Sequence, residues 1–275
     1  MTKLDALHQR LQGEGRVLVA FSGGADSAFL LAAAARACGP ANVTAATAIS
    51  ASLPDAELAA AAQFAAGLGV RHLTPHTDEM ARDGYRANAG DRCYFCKAEL
   101  LDVLTPLAHS LGIDVIATGT NADDVVAGFR PGIRAAAERG AITPLRDAGL
   151  TKAEIRAASK QWGLSTWDKP AAACLSSRIA YGIEVTPQRL ARVERAEVAL
   201  RETLAAAGIG VRNLRVRDLG DRARVEVDPE YVDVVASLGD LSVALDAGFS
   251  EVEVDPRGFR SGSMNELLPQ PDRWR

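Results

Sequence analysis

Short apolar runs alternate with longer Ala- and Leu-rich segments of helical period through the first half of the chain. Residues 16–21 (RVLVAF) form one such run between Gly15 and Ser22. They predict a strand buried on both faces. Similar runs at 43–49, 70–74 and 114–119 predict three more strands. Helical patterning covers 3–12, 27–38, 55–67, 97–111 and 151–162, and the second of these stops cleanly at Gly39-Pro40. In the last, Thr151 stands as N-cap with Glu154 three residues on, the spacing of a capping box. Strands alternating with helices predict an α/β fold with a doubly wound parallel sheet.

The pattern changes after Tyr181-Gly182. A charged amphipathic helix over 186–207 is followed by segments 214–217 and 222–227, which alternate like half-exposed strands about a turn at Gly220-Asp221. A helix at 231–238 and a strand at 251–254 complete the set. Two domains are therefore expected: residues 1–182, built on the parallel sheet, and a smaller α+β domain over 183–275. No repeat or low-complexity tract breaks this division.

Composition adds limits. Hydrophobic residues make up 48% and aromatics only 5%, so the core must be built mainly from Ala, Val, Leu and Ile. The formal charge of −4 gives no reason to expect a nucleic-acid surface, and phosphate binding must come from local groups. The polar start (MTKLDALHQRLQGEG) lacks the apolar core of a signal peptide, and no apolar run is long enough for a membrane span. The expectation is a cytoplasmic protein. Four cysteines in such a chain raise a question of metals or reactivity rather than of disulfides.

The clearest chemistry lies in Ser22-Gly23-Gly24-Ala25-Asp26-Ser27, between strand and helix. Two glycines let backbone N–H groups approach an anion, and the following helix offers free N–H groups and its positive dipole end. Ser22 and Ser27 add hydroxyl donors. Asp26 would repel a bare phosphate, so a bridging Mg²⁺ is expected there. The segment is neither GxxxxGKS nor GxGxxG.

At the end of the fourth strand, Gly119-Thr120-Asn121-Ala122-Asp123-Asp124 falls where doubly wound sheets bind ligands. Asp123 and Asp124 suit either Mg²⁺ or a helix cap. Arg130 and Arg134 suit either a phosphate or solvent. Cys93-Tyr94-Phe95-Cys96-Lys97 is a CxxC at a helix start, and Cys174 lies far beyond it. A CxxC serves a redox pair, half of a zinc site or part of an iron–sulfur site. The sequence offers no second CxxC to complete a zinc site, and three thiolates suit a [4Fe–4S] cluster with one open iron better. Cys174 alone reads as a reactive thiol. Cys38, inside an Ala-rich helix, reads as core.

The loop resembles the SGGxDS signature of the PP-loop ATP pyrophosphatases, whose fold is that of the adenine nucleotide alpha hydrolase-like domains. The strings SGGADS, DRCYFCK, GTNADD, RPGIRAAAERGAITPL, LTKAEI and WDKPAAACLSSRIAYG together resemble the LarE-type ATP-dependent sulfur transferases over roughly residues 16–182. Weaker matches (RVERAE, LRVR, ARVEV) follow. The resemblance implies ATP and Mg²⁺ as cofactors and a small-molecule substrate, pyridinium-3,5-biscarboxylic acid mononucleotide, a precursor of the nickel-pincer cofactor. ATP adenylates a carboxylate of it, and sulfur then displaces AMP to give a thiocarboxylate.

The resemblance also implies site residues. Ser22, Gly23, Gly24, Asp26, Ser27, Gly119, Thr120, Asp123 and Arg134 would bind the nucleotide, with Asp26 on Mg²⁺ and Lys97 neutralising phosphate charge. Ser177, Arg178, Arg215, Arg217 and Glu226 would hold the substrate's phosphate and ribose; positions 215 and 217 fall on one strand face. In one branch of the family a cysteine matching Cys174 gives up its own sulfur. In the other, three cysteines matching Cys93, Cys96 and Cys174 hold a [4Fe–4S] cluster carrying an extra sulfide, and all three are present here. Sulfur would come from sulfide or from cysteine, and the family suggests a homo-oligomer. Rival readings are a tRNA-thiolating or amide-forming PP-loop enzyme, and a nucleotide-binding or cluster-carrying protein without catalysis.

Overall fold

The computed structural model describes residues 1–126, 131–170, 173–238 and 241–268. The first stretch runs α1 (Lys3–Gln12), β1 (Val17–Ala20), α2 (Ala25–Cys38), β2 (Val43–Ala46), α3 (Asp55–Gly67) and β3 (Arg71–Leu73). Next come α4 (Asp83–Arg86), α5 (Arg92–Ser110), β4 (Val115–Thr118), α6 (Ala122–Val126), α7 (Pro131–Glu138), α8 (Pro144–Asp147) and α9 (Lys152–Gln161). The remainder holds α10 (Pro187–Ala206), β5 (Leu214–Asp218), β6 (Arg222–Val227), α11 (Val232–Ser237), α12 (Ser242–Asp246) and β7 (Glu251–Val254).

By its contacts the chain forms two compact units. The first takes residues 1–79 and 93–170; the second takes 80–92 together with the described residues from 173 onward. The change of pattern at 182 falls inside the second unit.

In the first unit the four strands are parallel in the order β3-β2-β1-β4. Alternation along β1 decides what covers each face. Val17 and Val19 meet the helices α1, α2, α3 and α9 through Leu7, Leu11, Phe29, Ala61, Ala65 and Ile155. Leu18 and Ala20 meet α5 and α7 through Leu101, Leu104, Ala108 and Ala136. Both faces are covered, which is why β1 carries no polar position, and the expected doubly wound architecture stands. The Thr151–Glu154 capping box is present at the start of α9.

In the second unit β5 and β6 are antiparallel and β7 joins β6 in parallel, with α10, α11 and α12 alongside. The expectation of half-exposed strands fails for β5, which is buried at all of its positions. Its charged side chains Arg215, Arg217 and Asp218 are drawn inside, where Arg217 pairs with Glu226 and Asp218 pairs with Arg189 at 2.8 Å and Arg192 at 2.7 Å. The segment 80–92 is tied in by Asn88, fully buried and at φ 51°. Its amide donates to the carbonyls of Ala180 at 2.8 Å and Ile183 at 2.9 Å, and to that of Ile179 at 3.3 Å. The Arg92 guanidinium adds a bond to the Ser176 carbonyl at 2.9 Å.

Among the described residues no helix is long and apolar enough to cross a membrane.

The strand order reverses direction between β1 and β4, and both strands end at the same level, Ala20 beside Thr118. Gly119 lets the next backbone reach the start of α2: a Cβ there would stand 2.9 Å from the Ser27 nitrogen. Gly119→Ala is therefore expected to destabilise the fold by about 2 kcal/mol, because the obstruction is backbone and cannot rotate away. Urea denaturation checks this, and a loss below about 0.5 kcal/mol, the size of an ordinary surface substitution, would contradict it.

Candidate active site

The loop 22–27 sits in the crevice outside the carboxyl ends of β1 and β4, where ligands of doubly wound sheets bind. Gly23 has φ 71°, a backbone state that a side chain would resist. The hydroxyl of Ser27 closes the loop: it accepts from the Ser22 N–H at 3.3 Å and donates to the Gly24 carbonyl at 3.1 Å. Gly24 is the N-cap of α2 and makes no side-chain cap. The first turn of a fourteen-residue helix is thus presented without a competing side-chain acceptor.

Asp26 lies in the first turn of α2. Its Oδ2 takes a bond from the Asn121 amide at 3.3 Å and faces the Lys152 ammonium at 3.6 Å. Its Oδ1 is buried and has no hydrogen-bond partner among the described residues. Burial holds this carboxyl above its usual range, against the opposing pull of Lys152, and Asp124 adds to the rise. An oxygen that lacks a donor and carries the cost of desolvation suits a hard cation. Mg²⁺ ordinarily takes one or two carboxylates plus phosphate oxygens, so Asp26 fits it.

The second wall is built by Asn121, which sequence reasoning had not singled out. Its Oδ1 accepts the N–H groups of Asp123 at 2.9 Å and Asp124 at 3.1 Å, and its own N–H donates to Asp124 Oδ2 at 3.1 Å. Asp123 in turn accepts the Lys152 N–H at 2.8 Å. Asp124 thus serves as a cap acceptor at the start of α6, and Asp123 at the start of α9. Thr120 accepts the Arg146 N–H through its carbonyl. Arg134 is an exposed residue of α7, stacked 4.7 Å from the Tyr94 ring and 3.7 Å from Glu138. Arg130 lies outside the described residues.

Cys93 and Cys96 stand three residues apart in the opening turns of α5, so they share one face of the helix. Gly132 of α7 packs against this turn: a Cβ there would stand 3.3 Å from the Cys93 carbonyl. Lys97 follows directly. Desolvation pulls its ammonium below the usual lysine range, while Cys96 and Cys93 act in the opposite sense. Glu79, buried, has its Oε1 3.9 Å from the Cys96 sulfur and takes a bond from Thr77 at 3.2 Å. Burial raises its carboxyl. No cysteine is in a disulfide. Cys38 bonds to the Leu11 carbonyl and packs with the core, as expected.

Cys174 belongs to the second unit, at the cap of a short turn, Leu175–Arg178. Its sulfur is 3.0 Å from the Ser176 hydroxyl. Its carbonyl accepts from the Ser177 hydroxyl at 2.8 Å and from the Arg178 guanidinium at 3.0 Å. Arg178 also reaches the Ala173 carbonyl and forms a two-pronged pair with Glu197 at 2.9 and 3.1 Å.

The expected substrate residues gather around this turn. Arg217 pairs with Glu226 at 2.6 Å and reaches the Ser177 carbonyl at 3.4 Å, and Ser263 bonds to both partners. The Arg215 guanidinium is pushed down to about 10 by burial first and then by Arg178, with Arg217 and Arg201 acting in the same direction and Glu197 opposing. It lies 5.4 Å from the Phe259 ring. A buried guanidinium held down by neighbouring cations is a place an anion would stabilise.

The raised Asp26 carboxyl has a consequence for stability. Its ionised form is disfavoured in the folded state, so ionisation costs stability once the pH exceeds the unfolded value, 3.8. Asp26→Asn removes that cost. The variant is expected to have a higher thermal midpoint than the parent at about pH 7, with the gain fading as the pH falls toward the ordinary carboxylate range. Thermal unfolding followed across pH checks this; a variant equal to or less stable than the parent at neutral pH would contradict it.

The asparagine synthase family model matches residues 4–207. The chain is 42% identical over 271 residues to an uncharacterised protein of Synechocystis sp., covering 97% of this chain and 98% of that one. It is 35% identical over 275 residues to pyridinium-3,5-bisthiocarboxylic acid mononucleotide synthase of Lactiplantibacillus plantarum, covering 97% and 95%. An uncharacterised protein of Methanocaldococcus jannaschii is 28% identical over 175 residues, or 63% and 66% of the two chains. The family match spans both the phosphate loop and the wall built by Asn121. The chain thus belongs to the asparagine synthase family of the PP-loop superfamily, and is a homologue of the pyridinium-3,5-bisthiocarboxylic acid mononucleotide synthase.

Proposed function

We propose that the protein is an ATP-dependent sulfur transferase that converts a carboxylate of pyridinium-3,5-biscarboxylic acid mononucleotide to a thiocarboxylate. The observation that carries this reading is the 35% identity, over nearly the whole of both chains, to the bisthiocarboxylic acid mononucleotide synthase. The arrangement of loop 22–27 and Asp26 supports the ATP-using half of it.

A carboxylate is a poor electrophile, and adenylation makes it a good one. A substrate carboxylate oxygen attacks the α-phosphorus, and the bond to pyrophosphate breaks. A sulfur nucleophile then adds to the acyl carbon, and the bond to AMP breaks. The loop amides and the start of α2 hold the phosphates, Asp26 holds Mg²⁺, and Lys97 neutralises phosphate charge as it develops. Arg215, with Ser177, Arg178, Arg217 and Glu226 around it, receives the mononucleotide's phosphate and ribose.

In this reading Cys93, Cys96 and Cys174, none of them in a disulfide, would be the ligands of a [4Fe–4S] cluster. When bound, such a cluster supplies an open iron that carries hydrosulfide. The reading includes sulfide or cysteine as the sulfur source and a cytoplasmic homo-oligomer.

Two measurements test it. Pyrophosphate release from ATP is expected to depend on the mononucleotide; release that ignores it, or no release, would overturn the reading. Protein reconstituted without oxygen is expected to hold about four irons per chain, lost in Cys93→Ala, Cys96→Ala and Cys174→Ala. Absence of iron in the parent would remove the cluster, and a loss of about 34 Da from the parent after turnover would then identify Cys174 as the sulfur donor.

A further inference from the structure

The peptide between Gly23 and Gly24 is the one in the phosphate loop with most freedom to flip, because a glycine stands on each side of it. Its orientation matters, since a planar trans peptide points its C=O and its N–H in opposite directions. Turning the Gly23 carbonyl toward one side of the loop turns the Gly24 N–H toward the other. Lys169 fixes this choice: its ammonium donates to the Gly23 carbonyl at 3.0 Å. The same ammonium is held by Glu57, in the first turn of α3, at 2.6 Å. The two side chains are only 22% and 25% exposed. Both border the loop where it meets α3, for a Cβ on Gly23 would stand 3.5 Å from that of Ala61 and 3.8 Å from Glu57 Oε2. Lys169 and Gly23 also line a groove of about 490 Å³ along α3.

We propose that Lys169, braced by Glu57, is a positioning residue that locks the Gly23–Gly24 peptide with its N–H directed to the phosphate of the nucleotide. The carboxylate matters as much as the cation. Without Glu57 the ammonium would be free to leave the carbonyl for the phosphate, and the peptide would lose its lock. This rests on the ATP-using reading given above.

The test is the affinity of the full-length protein for Mg-ATP and, by competition, for adenosine. Parent, Lys169→Met, Lys169→Arg and Glu57→Gln would be compared, with thermal unfolding to establish that each is folded. Lys169→Met is expected to weaken Mg-ATP by about tenfold and to leave adenosine within about twofold, as for one charge-assisted bond acting through the phosphate donors alone. Lys169→Arg restores most of the loss, and Glu57→Gln falls between. If Lys169→Met does not fold, Glu57→Gln carries the same comparison. Unchanged Mg-ATP affinity, or equal weakening of Mg-ATP and adenosine, overturns the lock while leaving ATP use intact. Failure of the parent to bind Mg-ATP overturns the ATP reading and the lock with it.

Discussion

The candidate site depends on one close approach, that of Gly119 to the Asp26–Ser27 peptide in the first turn of α2. The ends of β1 and β4 are neighbours in register. The segments leaving them can share one crevice only if nothing fills the space beyond Thr118, and a side chain at 119 would fill it. With that space clear, Asn121 reaches Asp26, and α9 brings Lys152 beside the same carboxylate. The phosphate loop, the acidic residue and the second wall are thus consequences of strand topology plus one missing Cβ.

Around this point the protein carries buried charge. Asp26 is held in a desolvated place where one of its oxygens has no donor among the described residues. The second unit does the same with guanidiniums, but pairs them with Glu197 and Glu226. Breaking such pairs one partner at a time costs more than the pair contributes, because the remaining charge stays buried. The two units therefore reach a similar end by different means: one keeps an unsatisfied acid, the other a crowded set of partly satisfied bases.

What the sequence made legible was local. The phosphate loop could be read because strand, glycines and helix start lie within a dozen residues, and the Thr151–Glu154 cap because its partners are three apart. The parallel sheet followed from uninterrupted apolar runs. Asn121, Lys152, Glu57 and Lys169 escaped notice because each acts through a partner remote in sequence, Glu57 and Lys169 being 112 residues apart. The burial of β5 was illegible for another reason. Arginine at alternate positions imitates a solvent-facing strand, and only the carboxylates opposite reveal the inside. Short helices such as α6, α8 and α12 hold too few turns to show a period.

The tie made by Asn88 bears on how the chain is assembled as it is synthesised. Its amide closes on carbonyls 91, 92 and 95 residues further along. On a ribosome adding 5–20 residues each second, the segment 80–92 waits roughly 5–20 s before its partners exist. During that interval residues 93–170 emerge and complete the material of the first unit, so that unit can close before the partners of 80–92 exist. The second unit then forms around a piece delivered early. A single cut between the last strand-bearing segment of the first unit and residue 173 therefore leaves the first unit whole but strips the second of its segment 80–92.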